Sequence, residues 1–189
     1  MKFKELMVDI EAMGKAPDGA IVAIGAVPFS LSPGHRELAP RSKWLSMRIT
    51  LESNVAAGRV MDPSTVEWWI RQEKAAQEAL LRNERYDDHD EVREDFIRRV
   101  EKLGCERVWA KPPSFDVTML RDFFGPVWPF HYAAERDLRS LIAVARSLNW
   151  QDVMKPELDY DGVKHEAIYD AALQAAQVIA FVERCATPR

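Results

Sequence analysis

The sequence predicts an α/β or α+β fold, a mixed sheet that opens as an antiparallel meander, continues in parallel strands and carries helices on both faces. Three observations point there. Short, apolar and partly β-branched runs fill the first fifty residues, helical periodicity sets in near residue 64, and helical stretches then alternate with short apolar strands. The chain has 189 residues. That length suits a single domain over 1–189, because cores usually divide only beyond roughly 250 residues.

Taken in order, residues 3–9 and 21–29 read as two strands, separated by the turn chemistry of Gly14, Pro17, Asp18 and Gly19. The stretch 31–41, with Pro33, Gly34 and Pro40, reads as a loop. Residues 44–50 set Trp44, Ser46 and Arg48 against Leu45, Met47 and Ile49, the period of a strand with one buried face. Ser64 and Glu67 make a capping box, and Val66, Trp69, Ile70, Ala76 and Leu80 recur at helical spacing, so one helix is expected to about residue 82. A charged connection over 85–90 and an amphipathic helix from about 91 to 103, closed by Gly104, follow. A buried strand is expected over 107–110, a helix over 115–124, a short strand near 130–133, and helices over 138–148 and 167–184.

Hydrophobic residues make up 47% and charged residues 30% of the chain, which excludes a disordered polymer. The most apolar stretch, 20–27, falls far short of the roughly 18 residues of a membrane span, and the start MKFKEL has no signal-peptide core. A cytoplasmic protein without membrane partners is expected. Cys105 and Cys185 have neither disulfide-framework nor zinc spacing. With 26 basic and 30 acidic residues the net charge is -4, which disfavours gripping long duplexes by phosphate neutralisation. A nucleic-acid enzyme that meets phosphates through divalent cations stays open, because bound ions invert the local charge.

The strongest chemical feature is Val8-Asp9-Ile10-Glu11 at the end of the first strand. Side chains two apart share one face of a strand, and two adjacent carboxylates repel unless a cation sits between them. A hard divalent metal suits that pair; a solvated strand end is the plainer alternative. Ser114-Phe115-Asp116 puts an acid at a strand-to-helix junction, where the helix dipole alone also favours one. In His165-Glu166-Ala167-Ile168-Tyr169-Asp170, the helix stripe Ile168, Ala171, Ala175, Val178 and Val182 leaves Asp170 roughly 140° from its centre, facing water or a site. His165 reaches the same place as Asp170 only from the loop that enters the helix.

In chain order, D-x-E, then F-D, then H-x-x-x-x-D, this pattern resembles the DEDDh 3'-5' exonucleases of the RNase H-like superfamily. Within them it is similar to the small phage and bacterial enzymes, phage exonuclease A-like and mycobacterial-type 3'-5' exoribonuclease-like. The likeness rests on MVDIEAMG…AIVAIGAV, STVEWWIRQ, PSFDVTML, ERDLRSL and HEAIYDAALQA, over about residues 5–182. It implies an RNase H-like sheet and a 3'-5' exonuclease acting on single-stranded RNA or DNA ends. It further implies that Asp9, Glu11, Asp116 and Asp170 hold two Mg²⁺ or Mn²⁺ ions, with His165 as general base. Homodimers are common among such relatives, and nothing in the sequence marks an interface.

Two departures stand out. Many relatives have an Asn shortly before the F-D acid, where this chain reads Ala110-Lys111-Pro112-Pro113-Ser114. Glu166 follows His165 where relatives often have Asn, and an acid there is expected to raise the imidazole pKa and the pH optimum. Met13 and Gly14 are expected either to approach the terminal nucleotide or only to turn the chain, and Trp68 to stack on a base or to pack, with Trp69 in the core. Asp137 reads as a helix cap, while Arg136 and Arg139 read as surface pairs or phosphate contacts. A non-catalytic binding module on the same fold and a phosphoesterase of very short oligonucleotides are the rival readings. No residue declares itself for the 2'-OH, so sugar preference stays open.

Overall fold

The computed structural model describes residues 3–81 and 88–187. Strand β1 (Glu5–Ala12) pairs antiparallel with β2 (Ile21–Ser32), and β3 (His35–Leu38) and β4 (Leu45–Arg48) both pair antiparallel with β2. On the other side of β1, β5 (Arg107–Ala110) and β6 (Glu135–Asp137) add in parallel. The six-stranded sheet therefore runs β3-β2-β1-β5-β6, with β4 beside the first half of β2. Helices α1 (Leu51–Ala56), α2 (Pro63–Ile70) and α3 (Lys74–Leu80) follow β4, and α4 (His89–Leu103) leads into β5. Helix α5 (Asp116–Phe124) joins β5 to β6, and α6 (Leu138–Ser147), α7 (Gln151–Met154) and α8 (Ala167–Ala186) complete the fold.

The period of two in β1 sorts its side chains between two cores. Leu6, Val8 and Ile10 pack with Val92, Phe96 and Val100 of α4 and with Val117, Leu120 and Phe123 of α5. Met7 points the other way, with Val27, Phe29 and Trp109, onto Ile168, Ala171, Ala175 and Val178 of α8. Glu5 shares that second face and is buried, because Arg107 Nε donates to its Oε1 at 2.7 Å and Trp109 Nε1 to its Oε2 at 2.8 Å. Asp9 and Glu11 continue the same face toward the first turn of α8.

That turn approaches closely because of Gly25, which lies opposite Asp9 in the β1–β2 register. A Cβ at 25 would overlap the carbonyl oxygen of Ala167 and the nitrogen of Ile168. The helix start is also tied to the sheet by Arg48 of β4, whose Nη2 stands 3.3 Å from Glu166 Oε1 in a largely buried ion pair.

Several elements differ from the sequence reading. The stretch 31–41 is largely a hairpin rather than a loop, β2 running on to Ser32 and turning at Pro33-Gly34 into β3. The single helix expected over 64–82 is two helices, and its cap is Asp62, whose side chain accepts from Thr65 N, with Pro63 opening α2. Gln77 Nε2 donates to the carbonyls of Trp69, Ile70 and Gln72, so the break is capped from within α3. Helix α4 starts at His89, and residues 82–87 of the expected helix end and connection lie outside the described residues. The strand expected near 130–133 falls at Glu135–Asp137 instead, because Phe130 is claimed by the α5 core and residues 132–134 form a tight turn. Helix α1 was not expected; its Asn54 is fully buried and exchanges hydrogen bonds with both backbone groups of Ile21. No helix among the described residues is long and apolar enough to cross a membrane.

Substituting Gly25→Ala forces α8 off the sheet or distorts β2, with an expected loss of about 1–3 kcal/mol in urea denaturation. Unchanged stability would show that the approach at Gly25 is not a tight one.

Candidate active site

Strand β1 is longer than its parallel neighbour. Its pairing with β5 ends at Met7–Trp109, so the backbone beyond Met7 lies past the end of that ladder. Asp116, the first residue of α5, enters there: its Oδ1 accepts from Ile10 N at 3.1 Å, between the two acids of β1. Asp170 comes from the first turn of α8. His165 sits outside the helix, in the entering loop, with φ at 68°, a left-handed conformation in which its own N donates to Asp170 Oδ2 at 2.9 Å. Asp9, Glu11, Asp116, His165 and Asp170 thus converge from three distant stretches on one cavity of about 530 Å³. This is the crevice beyond the carboxyl end of a parallel strand, where α/β sheets place ligands.

Within the cavity, Glu11, His165 and Asp170 make the tightest group, one ligand atom from each lying within 4.8 Å of the others. Asp9 is held from the side by Gln174 of α8, whose Nε2 donates to Asp9 Oδ1 at 2.7 Å. Lys111, Lys164 and Tyr169 complete the rim. Trp68 and Trp69 of α2 meet the His165 ring edge-on, at centroid distances of 5.0 and 6.2 Å. Trp69 is fixed by its Nε1 donating to Ala12 O at 2.9 Å, and it holds the half-exposed Trp68 beside Glu11.

The four carboxylates are badly placed for their own ionisation. Burial raises Asp9 well above the usual carboxylate range, and the charges of Asp116 and Asp170 raise it further. Burial and the charges of Asp9, Asp170 and Asp116 push Glu11 up to about 10. Asp116 is pushed by burial to about 7 against the bond from Ile10, and Asp170 is raised by burial against the bond from His165. An all-oxygen cluster of desolvated, mutually repelling acids fits a hard divalent cation. His165 moves the other way, burial lowering it although Asp170 opposes the shift, which favours the neutral imidazole. The expectation that Glu166 raises it is corrected here: Glu166 is turned to Arg48.

A family profile described as the Rv2179c-like 3'-5' exoribonuclease domain matches residues 4–182. The chain belongs to this family. It is a 3'-5' exonuclease of the RNase H-like type, with the mixed α/β sheet that the sequence predicts. Among solved structures it resembles Exonuclease X in complex with 5' overhanging duplex DNA, at 16% identity and a TM-score of 0.54, covering 97% of this chain and 94% of that one, a likeness of fold. No curated protein sequence matches it.

Not every residue singled out in this exonuclease reaches the cavity. Met13 packs with Val22, Trp69 and Leu80. Gly14 lies where a Cβ would overlap Val60 O, so a tight backbone crossing accounts for the glycine. Asp137 caps α6, accepting from Arg139 N, and pairs with the Arg139 side chain at 3.0 Å; Arg136 donates to the carbonyls of Ala133 and Glu135. Lys111 lines the cavity, and its charge favours ionisation of Asp9 and Asp170. Gln174 escaped the sequence reading, although Asp170, Gln174 and Gln177 recur at i, i+4 and i+7, a polar stripe beside the apolar one.

Because Glu11 and Asp116 have folded-state values raised above the roughly 4 of an unfolded chain, the stability they add is whole below pH ~4. It is lost as pH rises through about 7 for Asp116 and about 10 for Glu11. In EDTA the melting temperature is therefore expected to fall between pH 5 and 9, and Glu11→Gln to raise it at pH 8. Added Mn²⁺ should stabilise the wild type more at pH 8 than at pH 6. A Glu11→Gln protein that melts lower than wild type in EDTA at pH 8 would contradict this electrostatic account.

Proposed function

We propose that the enzyme shortens single-stranded RNA from the 3' end one nucleotide at a time, with Asp9, Glu11, Asp116 and Asp170 holding two Mg²⁺ or Mn²⁺ ions and His165 acting as general base. The observation that carries this reading is the convergence of four carboxylates and an imidazole from three distant stretches on one cavity. RNA is favoured over DNA by the exoribonuclease family to which the chain belongs. When bound, the ions supply Lewis-acid activation of water and neutralisation of the phosphate's developing charge.

The chain's own residues supply the rest. Water attacks phosphorus, the bond to the 3' oxygen of the penultimate residue breaks, and a nucleoside 5'-monophosphate leaves. His165 takes the water's proton on an imidazole nitrogen, a task for which a neutral ring at pH 7 is suited. The edge contacts from Trp68 and Trp69 and the backbone bond to Asp170 fix where that ring stands. Glu11 both faces the acid cluster and borders a second pocket of about 380 Å³, walled by Ser64, Thr65, Trp68 and Phe115. An apolar pocket with two hydroxyls suits a nucleoside, and Trp68 supplies a surface for its base.

Digestion of 5'-labelled single-stranded RNA should give a one-nucleotide ladder in Mg²⁺ or Mn²⁺, absent in EDTA and absent with Asp170→Asn. A ladder that survives EDTA would overturn the two-ion reading, and equal cutting of DNA would overturn the preference for RNA. His165→Ala should lower kcat by about 10²–10⁴-fold. In the wild type the acid limb of the pH profile should lie below pH ~6.5, the ordinary imidazole value. Trp68→Ala should weaken substrate binding by about 5–150-fold, the equivalent of one lost base stack, seen in KM.

A further inference from the structure

Asp9 lies in the field of both Asp116 and Asp170, and it has no ion-pair partner among the described residues, although the charge of Lys111 favours its ionisation. The side-chain hydrogen bond it receives comes from Gln174, at 2.7 Å. Gln174 lies one turn after Asp170 on α8 and is 7% exposed. Its amide therefore joins the helix that carries one acid to the strand that carries two. The other half of the same amide has no such match: Gln174 Oε1 is buried without a donor among the described residues. A leucine or methionine at this position would fill the space but leave Asp9 Oδ1 without its donor, so the glutamine answers to that carboxylate rather than to the packing around it. What the glutamine does is fix one oxygen of Asp9.

We propose that Gln174 is a positioning residue for the metal site, clamping Asp9 Oδ1 so that the carboxylate presents its other oxygen to the cations. The proposal rests on the reading of the acid cluster as a divalent-ion site. A carboxylate on β1 otherwise rotates freely about its last bond, and under repulsion from Asp116 and Asp170 it would turn away from them. The clamp opposes that rotation before any ion arrives, which is how outer hydrogen-bond partners of metal ligands raise affinity. Gln177, three residues further on, is the internal contrast. It lines the same cavity and also has an orphaned Oε1, but its Nε2 donates to Met154 O at 2.8 Å and so ties α8 to α7 instead.

The test is Mn²⁺ titration of the full-length protein without nucleic acid, followed by electron paramagnetic resonance of free Mn²⁺, for wild type, Gln174→Met, Gln174→Asn and Gln177→Met. Saturable binding by the wild type, weakened about 10-fold or more in both Gln174 variants and less than twofold in Gln177→Met, is the expected result. The Mn²⁺ concentration giving half-maximal nuclease activity should shift by the same factor, with the maximal rate largely recovered at saturation. Unchanged Mn²⁺ affinity in both Gln174 variants would overturn the clamp while leaving the metal site intact. Equal weakening in Gln177→Met would also overturn it, because the effect would then belong to the helix rather than to Asp9. Loss of the folded state in both Gln174 variants, read from melting in EDTA, would make the residue structural and dispose of the assignment. No saturable binding by the wild type would instead defeat the metal reading on which the proposal stands.

Discussion

The site depends on how closely the first turn of α8 comes down on the sheet. Gly25 sits opposite Asp9 in the β1–β2 register, and the space its missing side chain leaves is taken by the backbone of Ala167 and Ile168. The fully buried Ala171, Ala172 and Ala175 keep the following turns as near. From that contact the rest follows by geometry. Asp170 stands one turn above the contact, Gln174 reaches Asp9 one turn later, and His165 is held outside the helix by its backbone bond to Asp170. A bulkier residue at 25 would lift all of these groups together, since they are carried by one rigid helix.

The two ends of β1 show two solutions to the same problem. Glu5, Asp9 and Glu11 all project from one face of the strand, and each is a carboxylate largely withdrawn from water. At Glu5 the fold supplies the partner itself, with Arg107 and Trp109 satisfying both oxygens. At Asp9 and Glu11 no lysine or arginine among the described residues comes within ion-pair distance, and the charges of neighbouring acids oppose ionisation of both, with Lys111 favouring it at Asp9. Burying unpaired charge is costly, so the arrangement persists only where something other than stability maintains it. The contrast lies within one strand and under one helix, which separates the functional end of the sheet from its structural end.

Much of this was legible in the sequence because it rests on short-range periodicity. Alternation along β1 put Asp9 and Glu11 on one face, and turn residues before His165 placed it in the loop that lets it meet Asp170. What escaped depends on contacts across the fold. The helical period over 64–80 runs through a break because Trp69, Ala76 and Leu80 bury against one small core, and a shared core preserves periodicity even when the backbone is interrupted. Strand β6 is polar, Glu135-Arg136-Asp137, and joins the sheet through backbone pairing with β5, which residue preference does not register. Glu166 pairs with Arg48, 118 positions away, and burial lowers His165, so the expected rise is not found. Gly25 looked like any strand glycine until the helix that needs it was in place.

Proton occupancy lowers the cost of burying such a cluster of acids. Glu11, pushed up to about 10, keeps its proton at neutral pH and Asp116, pushed to about 7, keeps it in part, so the site is less charged than four ionised carboxylates would be. A dication bound there, as proposed, would displace those protons, and the free energy of that exchange would depend on pH as well as on the ion. Burial shifts His165 the other way, toward its neutral form. Opposite shifts in neighbouring groups fit the separate roles proposed for them, cation binding for the acids and proton transfer for the imidazole.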